Sequence, residues 1–316
     1  MAVQRIDLAE AAALQQVSTH TLRNYIRSGK LKQYGRAKAL QVDSVELGNL
    51  FAPKPESTRK RVFAICNHKG GVAKTTTAGA LGWFLSRRAP TLMIDADPQG
   101  HLTQVCGLDS DALERTLYEV MVKGLPIQEA IQPIVLRDPP LEFEPASLNI
   151  LGSNLELAET TMQVTGRPWW AKILRNALKT IADEYRYVVI DCPPNLDALT
   201  VNAIAAATDV IVPVDMGAFS LRGTVKLLEI MRHVGEELNE PPAVWFLATR
   251  VEPNQFTEDV LDQLWQAYET RVLNTVIRKA VDVGRSQMYR CPLPVMFPNN
   301  MTTHDYAALT RELLNE

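Results

Sequence analysis

From Val62 onward, short apolar runs alternate with longer stretches in which apolar residues return every three or four positions. The runs "RVFAICN", "APTLMIDAD", "SLNILGS", "YRYVVIDCP", "DVIVPVD", "AVWFLATR" and "RVLNTVI" are short, apolar and rich in β-branched or aromatic residues, which predicts strands. Between them, "TTTAGALGWFLSRR", "WAKILRNALKTIADE", "LRGTVKLLEIMRHVGEEL" and "TEDVLDQLWQAY" carry helical spacing. Near-continuous apolar strands separated by helices predict an α/β fold, a doubly wound, mostly parallel sheet covered on both faces. Ligands of such sheets bind beyond the carboxyl ends of the strands.

The first 51 residues follow another pattern. "DLAEAAAL" predicts a short helix capped by Asp7, and "QQVS" a tight turn. "STHTLRNYIRSGK" predicts a second helix, opened by Ser18 and ended by Gly29. "KLKQYGRAKALQVDSVEL" reads as a short basic hairpin leading into a third helix. "APKPESTRK" holds two prolines and no apolar periodicity, so it reads as a linker. The chain thus divides into an N-terminal unit at 1–51, a linker at 52–60 and a large domain at 61–316.

Charge sharpens this division. Residues 1–60 hold 10 Lys/Arg against 5 Asp/Glu, whereas the remainder holds 23 against 31. A basic piece on an acidic body suits contact with a polyanion, and helix, turn, helix and basic wing is the shape of a DNA reader. "VSTHTLRNYIRSGKL" resembles the winged helix-turn-helix of the MerR and excisionase families. That resemblance implies that Thr19, His20, Arg23 and Arg27 face DNA, with Tyr25 near its backbone.

Composition excludes other classes. At 46% hydrophobic and 22% charged residues the chain is ordinary for a soluble globular protein. It holds no run of 18 apolar residues, which argues against a membrane span. The N-terminus lacks an apolar core with a cleavage site, so no signal peptide is read. The four cysteines form no CxxC, which points to a reduced, cytoplasmic protein without structural disulfides or zinc.

The chemistry centres on "CNHKGGVAKTTT", between a strand and a helix. Against the phosphate-loop pattern G-x-x-x-x-G-K-[ST] it fails twice, with His68 and Ala73 at the glycine positions. The setting still suits phosphate, because backbone N–H groups of Gly70, Gly71, Val72 and Ala73 and a helix N-terminus can surround its oxygens. Lys74 would reach the β/γ-phosphates, the Thr75 hydroxyl would ligate Mg²⁺, and Thr76 could donate to the α-phosphate. Asp191, ending "YVVIDCPP", is a carboxylate placed to hold Mg²⁺ through water. Asp95 and Asp97 end "LMIDADPQGHLT".

"KGGVAKTTT", "IDADPQGHLT" and "VVIDCPPNLDALTVNAI", in this order, resemble the ParA family of partition ATPases, which carry a deviant Walker A loop. "LNILGSNLELAE", "VIVPVDMGAFSLRGT" and "VLNTVIRKAVDVGRSQMYRCPLPV" agree, so the likeness spans about residues 61–313. It implies a weak, partner-stimulated ATPase using ATP and Mg²⁺. It makes Lys69 the signature lysine that reaches the nucleotide of a second subunit in an ATP-bound homodimer. Lys69, Lys74 and Asp97 become catalytic residues, Asp97 orienting the attacking water. Thr75, Asp95 and Asp191 become the magnesium residues, Asp95 in support, and Arg250 in "FLATRVEPN" an adenine neighbour. Because relatives with an N-terminal DNA reader tolerate a residue other than glycine before the lysine, Ala73 is expected at negative φ.

Among functions of such ATPases, partition of plasmid or chromosome DNA is expected. The dimer would coat nucleoid DNA without sequence preference, and a ParB-like protein would trigger hydrolysis. Arg278, Lys279, Arg285, Arg290 and Arg222 are the basic candidates for that contact, although Asp282 stands where many relatives have arginine. The N-terminal unit would bind the protein's own operator. The C-terminal "HDYAALTRELLNE" is no basic amphipathic helix, which disfavours a membrane switch. The missing CxxC disfavours an iron–sulfur carrier, and the intact Lys69, Lys74, Asp97 and Asp191 disfavour a vestigial ATPase. A positioning ATPase for a non-DNA cargo and a nucleotide-switched transcription regulator remain the alternatives.

Overall fold

The computed structural model describes residues 4–35, 40–52, 59–134, 148–216, 221–238 and 240–314, without the side chains of residues 221–223. The N-terminal unit runs β1 (Arg5–Asp7), α1 (Leu8–Leu14), α2 (Thr19–Arg27), β2 (Gln41–Asp43) and α3 (Ser44–Leu50). The large domain follows with β3 (Arg61–Ile65), α4 (Lys74–Ser86), β4 (Thr91–Asp95), α5 (His101–Val105), α6 (Ile127–Ala130), β5 (Ile131–Pro133) and β6 (Leu148–Leu151). It continues with α7 (Thr160–Val164), α8 (Ile173–Lys179), β7 (Tyr187–Asp191), α9 (Ala198–Ala206), β8 (Asp209–Asp215), α10 (Leu221–Leu238) and β9 (Ala243–Thr249). Four helices close it: α11 (Gln255–Tyr268), α12 (Asp282–Met288), α13 (Leu293–Met296) and α14 (Met301–Leu314).

Seven strands form one sheet in the order β5-β6-β4-β7-β3-β8-β9. Every pairing is parallel except the edge strand β5, which runs antiparallel to β6. The period of two along the strands explains why they read as continuous apolar runs. Val62, Ala64, Leu92, Ile94, Val188 and Ile190 face one layer with Leu174, Leu199 and Leu227. Phe63, Ile65, Met93 and Val189 face the other with Ala78, Leu81, Leu85 and Leu309. Gly82 lets α4 lie close on β4, since a Cβ there would sit 2.5 Å from Met93 Sδ. At the sheet's lower end Arg61 Nε donates to Asp209 Oδ2 at 3.0 Å and Nη2 to Oδ1 at 2.5 Å, clamping β3 to β8. Although burial pushes the Asp209 carboxyl upward, Arg61 prevails and holds it below the usual carboxylate range.

One expected strand is corrected. "RVLNTVI" runs beside β9 but makes only single bridges, Val272 to Phe246 and Arg278 to Val251. Its middle N–H groups go to side chains: those of Asn274 and Thr275 to the Glu312 carboxylate, both at 2.8 Å, and that of Val276 to Thr21 Oγ1 at 3.3 Å. With those donors taken, no ladder forms there.

In the N-terminal unit the expected caps are present. Asp7 Oδ1 accepts from Glu10 N at 2.8 Å and Ser18 Oγ from Thr21 N at 3.0 Å. Gly29 sits at φ 73°, just beyond α2. β1 and β2 pair antiparallel, and a bridge from Tyr34 to Gln41 extends the hairpin. Its tip at 36–39, and residues 53–58 of the expected linker, lie outside the described residues. The unit has its own core of Ile6, Leu8, Ala11, Val17, Leu22, Leu31, Val42 and Leu47, which reaches Ala308 of α14.

Candidate active site

Three connections leave the carboxyl ends of adjacent strands β3, β4 and β7 and converge. The loop after β3 curls around its own lysine, with Lys74 Nζ donating to Lys69 O at 3.0 Å while the side chain is buried. Asn67 ties the loop's start to β8 through Nδ2 to Pro213 O at 2.7 Å, and its Oδ1 accepts from Lys69 N at 3.0 Å. From behind, Thr249 Oγ1 donates to Val72 O at 3.2 Å. Under the loop, Cys66 and Cys192 bring their Sγ atoms to 2.9 Å, both fully buried as free thiols.

Ala73 is the correction at this site. It lies at φ 70°, ψ 28°, in the left-handed region, not at the negative φ expected. A Cβ in that region costs roughly 1–2 kcal/mol, so the loop keeps the backbone path a glycine would take. Gly71 is likewise left-handed at φ 72°. The turn at Ala73 opens α4 without any side-chain cap, leaving the helix's first N–H groups, with Thr75 and Thr76, at the loop's mouth.

The loop after β4 is organised by Asp95. Its Oδ2 accepts from Thr103 N at 2.8 Å and Oγ1 at 2.7 Å, and its Oδ1 from Asp97 N at 3.1 Å. Burial raises this carboxyl to about 6 against those hydrogen bonds. Asp95 is therefore spent on holding the loop, a supporting position. Asp97 Oδ1 accepts from Gln99 N at 3.0 Å, and its backbone carbonyl from Ser153 Oγ at 2.7 Å.

Asp191 is different. It is fully buried, and neither carboxylate oxygen makes a formed hydrogen bond. Burial drives its carboxyl well above the carboxylate range, Asp95 and Asp97 push further, and the neighbouring Thr75 hydroxyl and Lys74 ammonium only partly offset them. A bare buried carboxylate beside a threonine hydroxyl fits a hard divalent cation that takes oxygen ligands, so Thr75 and Asp191 suit Mg²⁺. Arg250, at φ 55°, rests its guanidinium against Gly71 O at 3.3 Å and Asp215 Oδ2 at 3.4 Å, next to the loop.

The basic candidates are scattered. Arg278 grips the fully buried Asp305 through Nε and Nη2 at 2.7–3.2 Å and also donates to Met301 O at 3.1 Å. It is a structural clamp, a correction to its expected place on a DNA face. Lys279 pairs with Glu252 at 2.6 Å and Arg285 with Asp282 at 3.0 Å, all near the surface, and Arg290 is exposed. The Arg222 side chain lies outside the described residues.

The N-terminal candidates are all engaged within the protein. His20 is buried, Arg23 pairs with Glu258 and Arg27 with Asp262 of α11, and Thr19 is half-buried. Tyr25 is buried edge-on against Phe51. In this pose the face expected on DNA lies on the protein's own large domain. Asn67, Thr103, Ser153 and Thr249 were not foreseen as site residues, although each stands within a quoted motif: "CNHKGGVAKTTT", "IDADPQGHLT", "LNILGSNLELAE" and "FLATRVEPN".

A parallel sheet with an anion-ready loop after a central strand, and a bare carboxylate on the neighbouring strand's end, defines a P-loop nucleotide-binding protein. Residues 60–242 match the family described as AAA domain. The chain is 31% identical over 261 residues to the chromosome partitioning protein ParA of Myxococcus xanthus, covering 82% of this chain and 89% of that one. It is 33% identical over 260 residues to the ParA of Caulobacter vibrioides, covering 81% and 94%. A solved structure titled cobyrinic acid a,c-diamide synthase from Mycobacterium smegmatis, with bound ATP analogue and magnesium, matches with a TM-score of 0.66 and 29% identity over 81% of this chain and 95% of that one. The chain belongs to the ParA family of P-loop ATPases.

Proposed function

We propose that this protein is a DNA-partition ATPase, switched by ATP between subunit states. The observation that carries it is a phosphate loop that keeps a second lysine, on a chain similar over most of its length to chromosome partitioning proteins. ATP with Mg²⁺ is the ligand: Thr75 and Asp191 would hold the cation, which would neutralise phosphate charge. Lys74 exchanges its contact with Lys69 O for the β/γ-phosphates, and the bare N–H groups heading α4 take the remaining oxygens. Asp97, fixed by Asp95, Thr103 and Ser153, orients the attacking water.

Lys69 works in trans. Two nucleotides facing each other across a dimer concentrate negative charge, and a lysine from each subunit offsets it only when the dimer closes. Lys279, Arg285 and Arg290 would meet DNA without sequence preference, a ParB-like partner would complete hydrolysis, and residues 1–51 would read operator DNA. Lys69→Ala tests the core of this reading. The variant should still bind ATP but fail to dimerise with it, as followed by light scattering, and lose DNA-stimulated hydrolysis. Normal ATP-driven dimerisation by the variant would sink the proposal.

A further inference from the structure

The helix expected to read DNA presents two polar faces, and both are occupied by the large domain. On one face, at helical spacing, stand Thr21, Asn24 and Ser28. Thr21 Oγ1 accepts from Val276 N, Asn24 Nδ2 donates to Asn274 O at 3.0 Å, and Ser28 Oγ donates to Asn274 Oδ1 at 2.8 Å. Glu312 fixes that receiving surface by accepting from the backbone N–H groups of Asn274 and Thr275. On the adjoining face stand His20, Arg23 and Arg27. Arg23 pairs with Glu258 and Arg27 with Asp262, so the pairing advances four residues on both helices, one rung per turn. His20 Nε2 lies 3.7 Å from Glu258 Oε1 without a hydrogen bond.

This arrangement and a DNA complex exclude each other. A helix with its side chains is roughly 10–12 Å across and the major groove about 12 Å wide, so α2 can enter only with α11 removed. The two ion pairs are the light part of this contact. Arg23 and Arg27 keep 51% and 41% of their side-chain surface exposed, and exposed ion pairs hold weakly. A phosphate offers each guanidinium the same oxygen geometry as a carboxylate.

We propose that α2 is a masked DNA-reading helix: the α11 carboxylates Glu258 and Asp262 stand in for phosphates, and duplex DNA competes with the large domain for Arg23 and Arg27. This rests on the reading of residues 1–51 as a DNA reader. It adds that specific binding requires α2 to leave the large domain, so the state of that domain governs access to DNA.

The test uses the full chain without nucleotide. Fluorescence anisotropy across a salt series measures binding to a duplex from upstream of its own gene and to an unrelated one. Glu258→Gln/Asp262→Asn removes the mask, and Glu156→Gln/Glu159→Gln, on an exposed turn elsewhere, matches its charge change. Ser28→Cys/Asn274→Cys, closed with diamide and reopened with dithiothreitol, locks the docked pose. The unmasked variant should bind about tenfold tighter than wild type, the size of change that two exposed pairs can withhold. Salt weakens the mask as well as the DNA contacts, so wild type should lose affinity with salt less steeply than the unmasked variant. The closed lock should abolish upstream-duplex binding and reduction should restore it. A locked chain that binds as well as the reduced one overturns the mask while leaving DNA reading intact through another surface, and a gain no larger than the charge control's also overturns it. If neither wild type nor the reduced, unmasked chain distinguishes the duplexes or binds beyond the control, the reading of residues 1–51 as a DNA reader fails itself.

Discussion

Replacing Asp191 with asparagine should stabilise the metal-free protein and destroy its response to magnesium. The carboxylate is fully buried, its two oxygens lack formed hydrogen bonds, and Asp95 and Asp97 add like charge. Asparagine is isosteric and no better partnered, so what it removes is the buried charge and its repulsion by Asp95 and Asp97, worth about 1–3 kcal/mol. For a domain of this size each kcal/mol moves the midpoint by about 2–4 °C, so the variant should melt roughly 2–12 °C above wild type in EDTA. The pH dependence has a defined sign. A carboxyl raised above its ordinary value of 3.8 imposes a penalty that grows as pH rises above that value, so the variant's advantage should shrink as pH falls toward it. With magnesium and ATP at about a hundred times the dissociation constant, wild type should gain about 2.7 kcal/mol, and the variant much less. Thermal melts by circular dichroism, with EDTA or with Mg-ATP, measure all three quantities. A variant that melts at or below wild type in EDTA refutes the argument, because Asp191 would then be satisfied by the protein itself.

Thr103→Val removes the hydroxyl that donates to Asp95 and accepts from Ser153 N at 3.0 Å. It should cost about 1–3 kcal/mol in chemical denaturation and lower kcat more than it raises KM, because it loosens the loop bearing Asp97. Arg278→Ala strands the buried Asp305 carboxylate and should cost about 3 kcal/mol, whereas Arg290→Ala should leave the melting midpoint within a degree or so. Asp209, held low by Arg61, contributes stability that is present above the ordinary carboxylate value and lost as pH falls below it. Asp209→Asn should therefore flatten the acid limb of a stability–pH curve, and an unchanged limb would place the clamp's value elsewhere.

What the sequence disclosed was whatever depends on neighbours along the chain. Strands β3, β4, β6, β7, β8 and β9 were legible because burial on both faces makes each a solid apolar run, and Asp7 and Ser18 because a cap acts within three residues. The phosphate loop was legible for the same reason, since lysine, threonine and flanking strand are contiguous. Ala73 was misread because its dihedral is set by the path the loop must follow from β3 to α4, held by Pro213 of β8 through Asn67 and by Thr249 of β9. Alanine's own preference is for negative φ, whereas the glycine that the phosphate-loop pattern has at this position signals the path the loop keeps. "RVLNTVI" has strand composition, yet Glu312, thirty-eight residues from Asn274, takes its donors. The same carboxylate shapes the surface that receives Asn24 and Ser28 of α2. By resemblance Arg23 and Arg27 face DNA, and the acids that meet them lie 235 residues away. A basic helix face shows that an anion is wanted but not whose, so the identity of that anion is a property of the fold.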